Sequence, residues 1–166
     1  MTVLVAVASR HGATHEIAEA VGRGLSAAGI ANEVRSVEDF DDLDAYAAIV
    51  LGSAVYVGSW LDDAKRFVGR HAAQMRGLPV WLFSSGPIGD PPHPSDDHAV
   101  QIDEIMTTTG ARGHRVVTGR LDKHLLGFGE RAVVLAVRAP EGDFRDWDAV
   151  TAWAGEIADA LAGSGR

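Results

Sequence analysis

The sequence contains no cysteine among its 166 residues. This absence excludes disulfide bonds, thiolate catalysis, zinc–thiolate sites and iron–sulfur clusters. A chain of this composition that performed redox chemistry would therefore need an organic cofactor to carry the electrons.

Positive charge is also scarce, because 15 Lys and Arg residues face 23 Asp and Glu residues and give a formal net charge of −8. A field of this sign repels nucleic acid and favours basic partners, so we predict no nucleic-acid partner. No basic leader precedes the apolar run that begins at Thr2. We therefore expect neither a secretion signal nor a transmembrane segment, and a cytoplasmic protein for which peripheral membrane contact stays open.

The length and composition suit one globular domain. Hydrophobic residues make up 46% of the chain and charged residues 23%, which is enough apolar surface for a packed core. No repeat, linker or change of composition divides the sequence. We expect a single domain over residues 1–166, with 163–166 frayed at the end.

Apolar runs and amphipathic stretches alternate along the chain. We predict strands at 2–8, 32–37, 47–52, 79–83 and 115–121, and helices at 14–28, 60–74, 96–108 and 146–161. This alternation is typical of an α/β protein with a parallel sheet. The segment 125–138 fits both strand and helix periodicity, and its residues alone leave the choice open.

The segment after the first strand brings hydroxyl groups, a glycine and a helix start together. Ser9 and Thr14 flank Gly12, where the missing side chain lets the backbone approach an anion. Backbone N–H groups at a helix start attract phosphate. We predict a phosphate site over Ser9, Arg10, His11, Gly12, Ala13, Thr14 and His15. The alternative is a plain helix-capping turn with Thr14 as the cap.

The segment after the third strand is unusually apolar and contains two aromatic residues, Tyr56 and Trp60. Such a wall suits a planar ring. We favour Tyr56 for stacking, because Trp60 is expected to open the next helix and to pack. The predicted ring-binding residues are Ser53, Ala54, Val55, Tyr56, Val57 and Gly58, and the alternative is a loop that only packs on the core.

The segment after the fourth strand offers hydroxyl and backbone groups that could meet the polar edge of a ligand. Its candidate residues are Ser84, Ser85, Gly86, Pro87, Gly89 and Asp90. Taken alone this is an ordinary loop. Because ligands of open parallel sheets bind beyond the carboxyl ends of the strands, we expect all three segments to form one site.

Other classes of function find less support. His93 and His98 lie among acidic residues, but three prolines of the same segment indicate an exposed loop, and we predict no metal site. The Gly-x-Ser-x-Gly pattern of a hydrolase nucleophile is absent, and so are the Walker and Gly-x-Gly-x-x-Gly patterns. An interaction module without any cofactor is the remaining alternative.

The pattern Ser9-x-His11-Gly12-x-Thr14 resembles the phosphate loop of flavodoxins, with His11 where that family usually has a hydroxyl residue. Residues 9–14, 50–55, 119–121 and 146–148 together resemble the flavodoxin-domain group that includes the quinone-dependent protoporphyrinogen oxidases. The resemblance implies a flavodoxin-like three-layer sandwich, with a five-stranded parallel sheet in the order 2-1-3-4-5 and helices on both faces. It also implies that 125–138 is helical and that the chain binds FMN non-covalently.

By this resemblance the chain is an FMN-dependent oxidoreductase, with porphyrinogen as a substrate and a quinone as acceptor. The same resemblance implies that the Val57–Gly58 peptide accepts a hydrogen bond from reduced flavin. Tyr56 stands one place earlier than the aromatic residue of the oxidases, which argues against porphyrinogen. The alternative is an electron carrier whose acidic residues steer a basic redox partner protein. Those residues are Glu38, Asp39, Asp41, Asp42, Asp44, Asp62 and Asp63.

Overall fold

The computed structural model describes residues 1–10, 12–39, 42–56, 59–85, 102–117, 120–121, 142–143 and 145–164. Its helices are α1 (Ala13–Ala27), α2 (Asp62–Arg76), α3 (Ile102–Thr109) and α4 (Trp147–Ser164). Its longer strands are β1 (Thr2–Ala8), β2 (Ala31–Ser36), β3 (Ala48–Tyr56), β5 (Val80–Ser85) and β6 (Gly113–Val117). Its two-residue strands are β4 (Ser59–Trp60), β7 (Arg120–Leu121) and β8 (Gly142–Asp143).

The longer strands form one parallel sheet in the order β2-β1-β3-β5-β6. Strand β4 pairs with the end of β3 in the antiparallel sense, and β7 pairs with β8 outside this sheet. Once the two-residue β4 is set aside, the order of the longer strands is the predicted 2-1-3-4-5. The predicted fold class is therefore confirmed.

Helices cover both faces of the sheet because side chains alternate between the two faces of each strand. Val3, Val5 and Val7 of β1 pack in one core cluster with α1 and α4. Leu4 and Ala6 lie on the opposite face, in a second cluster with α2 and α3. Both clusters are buried, so each central strand is apolar on both sides, as its continuous apolar run predicts.

The third strand continues beyond its predicted end at Gly52 and reaches Tyr56. Gly52 is the register partner of Phe83, and a Cβ at position 52 would lie 2.0 Å from the Cζ of Phe83. The glycine therefore makes room for a ring and does not end the strand. Trp60 lies in β4, and α2 begins only at Asp62, so the prediction that Trp60 opens this helix is wrong.

Local backbone signals mark the end of α1 and the start of α4. Gly29 has a φ of 81° directly after the C-cap of α1. Asp146 caps α4, because its Oδ1 accepts a hydrogen bond from the Ala149 N–H over 3.0 Å. Segments 125–138 and 96–101 lie outside the described residues. No helix in the described part of the chain is long and apolar enough to cross a membrane.

Candidate functional site

The turn between β1 and α1 is built around Gly12. Gly12 is the N-cap of α1 with a φ of 86°, a left-handed conformation that glycine adopts without strain. Its N–H donates a hydrogen bond to the Oγ of Ser9 over 3.1 Å. Thr14 is 3% exposed, the N-cap is Gly12, and no side chain of the described residues caps this helix, so the alternative of a turn capped by Thr14 is wrong.

The space in front of Gly12 is open. No described atom beyond its chain neighbours lies within 4 Å of the position that a Cβ would take. The first hydrogen bond of α1 runs from the Glu16 N–H to the Gly12 carbonyl. The N–H groups of residues 13–15 therefore have no acceptor within the helix, and they carry the positive end of its dipole. An anionic group that entered this space would meet those donors.

The other predicted phosphate-loop residues have different surroundings. Arg10 is exposed and lines a cleft of about 330 Å³ with Ser9 and with residues at the start of α2. The Nε2 of His15 lies 3.5 Å from Oε1 of Glu19, one turn further along α1. His11 lies outside the described residues.

Ser53 lies in strand β3 and not in a loop. Its side chain is fully buried, donates to the Ala54 carbonyl over 2.8 Å and accepts from the Leu61 N–H over 3.1 Å. Ser53 thus fastens the end of β3 to the start of α2. Ala54, Val55 and Tyr56 complete the strand. The side chain of Tyr56 and all of Val57 and Gly58 lie outside the described residues.

Ser84 is fully buried near the end of β5, and its hydroxyl contacts side chains of β4 and β6. Its Oγ accepts from the Trp60 Nε1–H over 2.7 Å and lies 2.8 Å from the His114 Nε2. Trp60 is 2% exposed, which confirms its packing role. Ser85 is 7% exposed and ends β5. Gly86, Pro87, Gly89 and Asp90 lie outside the described residues.

The Ser84–His114 contact resembles the hydroxyl–imidazole pair of a nucleophilic enzyme. However, the Ser84 side chain is fully buried, and its oxygen already accepts the indole N–H. A substrate has no access to this oxygen, so the pair gives no support to a hydrolase.

The structure brings the starts of the three predicted segments together. Ala8 is the register partner of Ser53, and Ser53 is the register partner of Ser84. The three positions form one row across the sheet at its carboxyl edge, where Ser9 follows β1. The expectation that these segments share one edge is confirmed at their starts.

Acidic residues beside this edge are interleaved with arginines. Asp63 forms an ion pair with Arg66, and this hydrogen-bonded partner lowers the pKa of the Asp63 carboxyl. A hydrogen bond to Asp63 raises the pKa of Glu38. In the described part of the chain, no group of three His, Asp or Glu side chains is arranged to hold a metal ion.

Sequence reasoning missed Arg145. Its side chain is 5% exposed, its Nη1 forms an ion pair with Glu16, and the same nitrogen lies 3.5 Å from the Ala13 carbonyl oxygen. The guanidinium carbon lies 4.5 Å from the ring centroid of Trp147. No local pattern indicates a contact across 129 positions, although Arg145 directly precedes the 146–148 segment singled out above.

A family model described as "Flavodoxin domain" matches residues 4–148. A flavodoxin from the domain Archaea superposes with a TM-score of 0.65 at 22% identity, over 98% of this chain and 99% of that one. A cysteine-to-serine mutant of flavodoxin from Pseudomonas aeruginosa gives 0.62 at 18% identity, over 98% and 99% of the two chains.

A third similar structure is the rubredoxin oxygen:oxidoreductase from the anaerobe Desulfovibrio gigas, with a TM-score of 0.64 at 13% identity. The match covers 98% of this chain but 36% of that one. At these identities the structures establish the fold alone. No curated protein sequence matches the chain.

Proposed function

Because the chain belongs to the flavodoxin-domain family, we propose that it binds FMN non-covalently and transfers electrons through it. The observation that carries the proposal is the open, left-handed Gly12 at the start of α1. A phosphate group fits there against the N–H donors of the first turn. We also propose that residues 1–166 form a single domain.

One buried hydroxyl beside this edge supports binding of the remainder of FMN. The Oγ of Ser59 is buried and has no hydrogen-bond partner among the described residues. Ser59 follows directly on Val57 and Gly58, which the sequence assigns to the flavin ring. A buried hydroxyl without a partner carries a free-energy cost that a polar ligand edge would relieve.

The amino-acid composition indicates what the cofactor and the protein would each contribute. FMN supplies the redox chemistry when it is bound, and the chain has no cysteine that could do so. The residues around Gly12 would hold the phosphate, and the sequence assigns the segments after β3 and β5 to the ring. Of the polar side chains at the strand ends, Ser53 and Ser84 are engaged within the protein, so they support these segments without contacting the ligand.

The test of FMN binding is reconstitution of the purified chain, followed by an absorbance scan and a flavin fluorescence titration. We expect stoichiometric FMN with flavin absorption bands. A colourless protein that neither retains nor takes up FMN would favour the interaction module without a cofactor.

We propose an electron carrier for a redox partner protein as the primary role. The acidic residues Glu38, Asp39, Asp62 and Asp63 lie beside the carboxyl edge, and they would attract a basic partner. The arginines among these acidic residues weaken their negative electrostatic field. We therefore expect the field to attract a basic partner only at low ionic strength.

A second candidate is an oxidoreductase that acts on a small molecule, and the cleft of about 330 Å³ beside Ser9 and Arg10 favours it. Porphyrinogen oxidation with a quinone acceptor is its narrowest form and rests on the sequence resemblance. Stopped-flow assays of the FMN-loaded protein distinguish the electron carrier from the oxidoreductase. Salt-sensitive exchange with a basic redox protein supports the carrier, whereas turnover of quinone or porphyrinogen supports the oxidoreductase.

A further inference from the structure

An ion pair between distant parts of the chain stands at the start of α1. Arg145, which precedes α4, pairs through Nη1 with Oε2 of Glu16 in the first turn of α1. The same nitrogen lies 3.5 Å from the Ala13 carbonyl oxygen. The pair therefore touches the turn that presents the N–H donors next to Gly12.

The positive charge of Arg145 is unusual for its place. The Arg145 side chain is 5% exposed, and a buried guanidinium requires an anionic partner. The positive end of a helix dipole disfavours a cation, which adds to this requirement. Glu16 suits the first turn of a helix, but its carboxylate would repel a second anion bound at the same helix start.

We propose that Arg145 is a positioning residue that makes the site selective for a flavin carrying a phosphate over one without it. Arg145 neutralises Glu16, so the helix start is left free to attract phosphate, and it holds the first turn through Glu16 and Ala13. This inference rests on the proposed FMN function. By this inference, the Arg145–Glu16 pair is the arrangement of charges that makes the site bind FMN in preference to riboflavin.

The test compares dissociation constants for FMN and riboflavin, measured by flavin fluorescence, in four proteins at low ionic strength. They are the wild type, Arg145→Met, Glu16→Gln and the double variant. The ratio of the two constants isolates the phosphate, because riboflavin shares the ring and the ribityl chain. A general loss of structure would weaken both ligands and leave the ratio unchanged.

We expect Arg145→Met to lower the preference for FMN about tenfold, because it removes a positive charge from the helix start near the phosphate. Glu16→Gln should raise the preference about threefold, since it removes a negative charge from the helix start near the phosphate. The double variant should return close to the wild-type ratio. These shifts should shrink as salt is raised.

Glu156→Gln is the matched control. Glu156, on α4, forms an ion pair with Arg115 of β6, with its Oε2 2.8 Å from Nη2 of that arginine. It lies nine residues beyond the first residue of α4, roughly 14 Å along the helix axis. This variant makes the same charge change and should leave the preference for FMN unaltered.

Equal losses of both flavins in Arg145→Met, with an unchanged ratio in Glu16→Gln, would overturn the inference and leave FMN binding standing. If Arg145→Met does not fold, Glu16→Gln decides alone, because its side chain is 46% exposed and tolerates the change. Wild-type protein that binds neither flavin would overturn the proposed function and this inference together.

Discussion

The indole N–H of Trp60 donates a hydrogen bond to the hydroxyl of Ser84, 24 positions away along the chain, with Nε1 2.7 Å from Oγ. Both side chains are buried, and the bond joins β4 to the end of β5. The bond therefore holds β4, which follows the segment that the sequence assigns to the flavin ring after β3, against the end of β5. A polar contact at this depth stabilises the arrangement only while both partners are present.

Removing the donor should reveal that dependence. Trp60→Phe keeps an aromatic ring but leaves the Ser84 oxygen without the indole, and we expect a loss of about 1–3 kcal/mol in the free energy of unfolding. Urea denaturation measures it. Trp147→Phe is the control, since Trp147 is 39% exposed and should cost far less. Equal losses in the two variants would contradict the anchoring role.

Gly12 and Gly29 offer a matched pair for the phosphate site. Both have positive φ with open space at the Cβ position, at opposite ends of α1. Alanine at either place should cost about 1–2 kcal/mol of strain. Only Gly12→Ala should also weaken FMN binding, because its methyl group projects into the space assigned to phosphate. Equilibrium dialysis with FMN gives the comparison, and equal affinity in the two variants would move the site elsewhere.

Tyr56 is predicted to stack on the flavin ring. We expect Tyr56→Leu to change the quenching of flavin fluorescence in the bound state, because aromatic contact quenches the flavin. The chain has one other tyrosine, Tyr46, which lies just before β3 and donates to Glu33 over 2.6 Å. Tyr46→Leu should leave the quenching unchanged. Identical bound spectra for wild type and Tyr56→Leu would show that another residue lines the ring.

The Glu38–Asp63 contact predicts a pH-dependent stability. The pKa of Glu38 is raised by its hydrogen bond to Asp63, so protonated Glu38 stabilises the fold below its ordinary pKa of 4.5. This contribution is lost as the pH rises through the raised value in the folded state. Glutamine keeps the donor at every pH. Glu38→Gln should therefore raise the Tm near pH 7 and match the wild type below pH 4.5.

Thermal unfolding of both proteins across this range tests the sign. Glu104→Gln, on α3, provides the same substitution without the Asp63 contact. A difference in Tm between Glu38→Gln and wild type that stays constant with pH would contradict the hydrogen bond from protonated Glu38 to Asp63.

Much of the fold followed from the order of residues. The apolar run of β1 predicted its bounds, Thr2–Ala8, because a strand covered on both faces leaves a continuous apolar signal. Asp146 and Gly29 marked helix ends through local backbone chemistry. The end of β3 was missed because Gly52 resembles a break until the ring of Phe83 is placed against it.

The sequence likewise predicted some features of the candidate site, and only the packed structure determined the others. Residue order was enough to place a glycine with hydroxyl neighbours after the first strand and similar segments after two later strands, since these features depend only on adjacent residues. Packing was needed to turn Ser53 and Ser84 inward, because a hydroxyl points towards whichever partners the assembled elements supply. Packing also brought Arg145 to Glu16, because those two charges meet only when α4 lies beside α1.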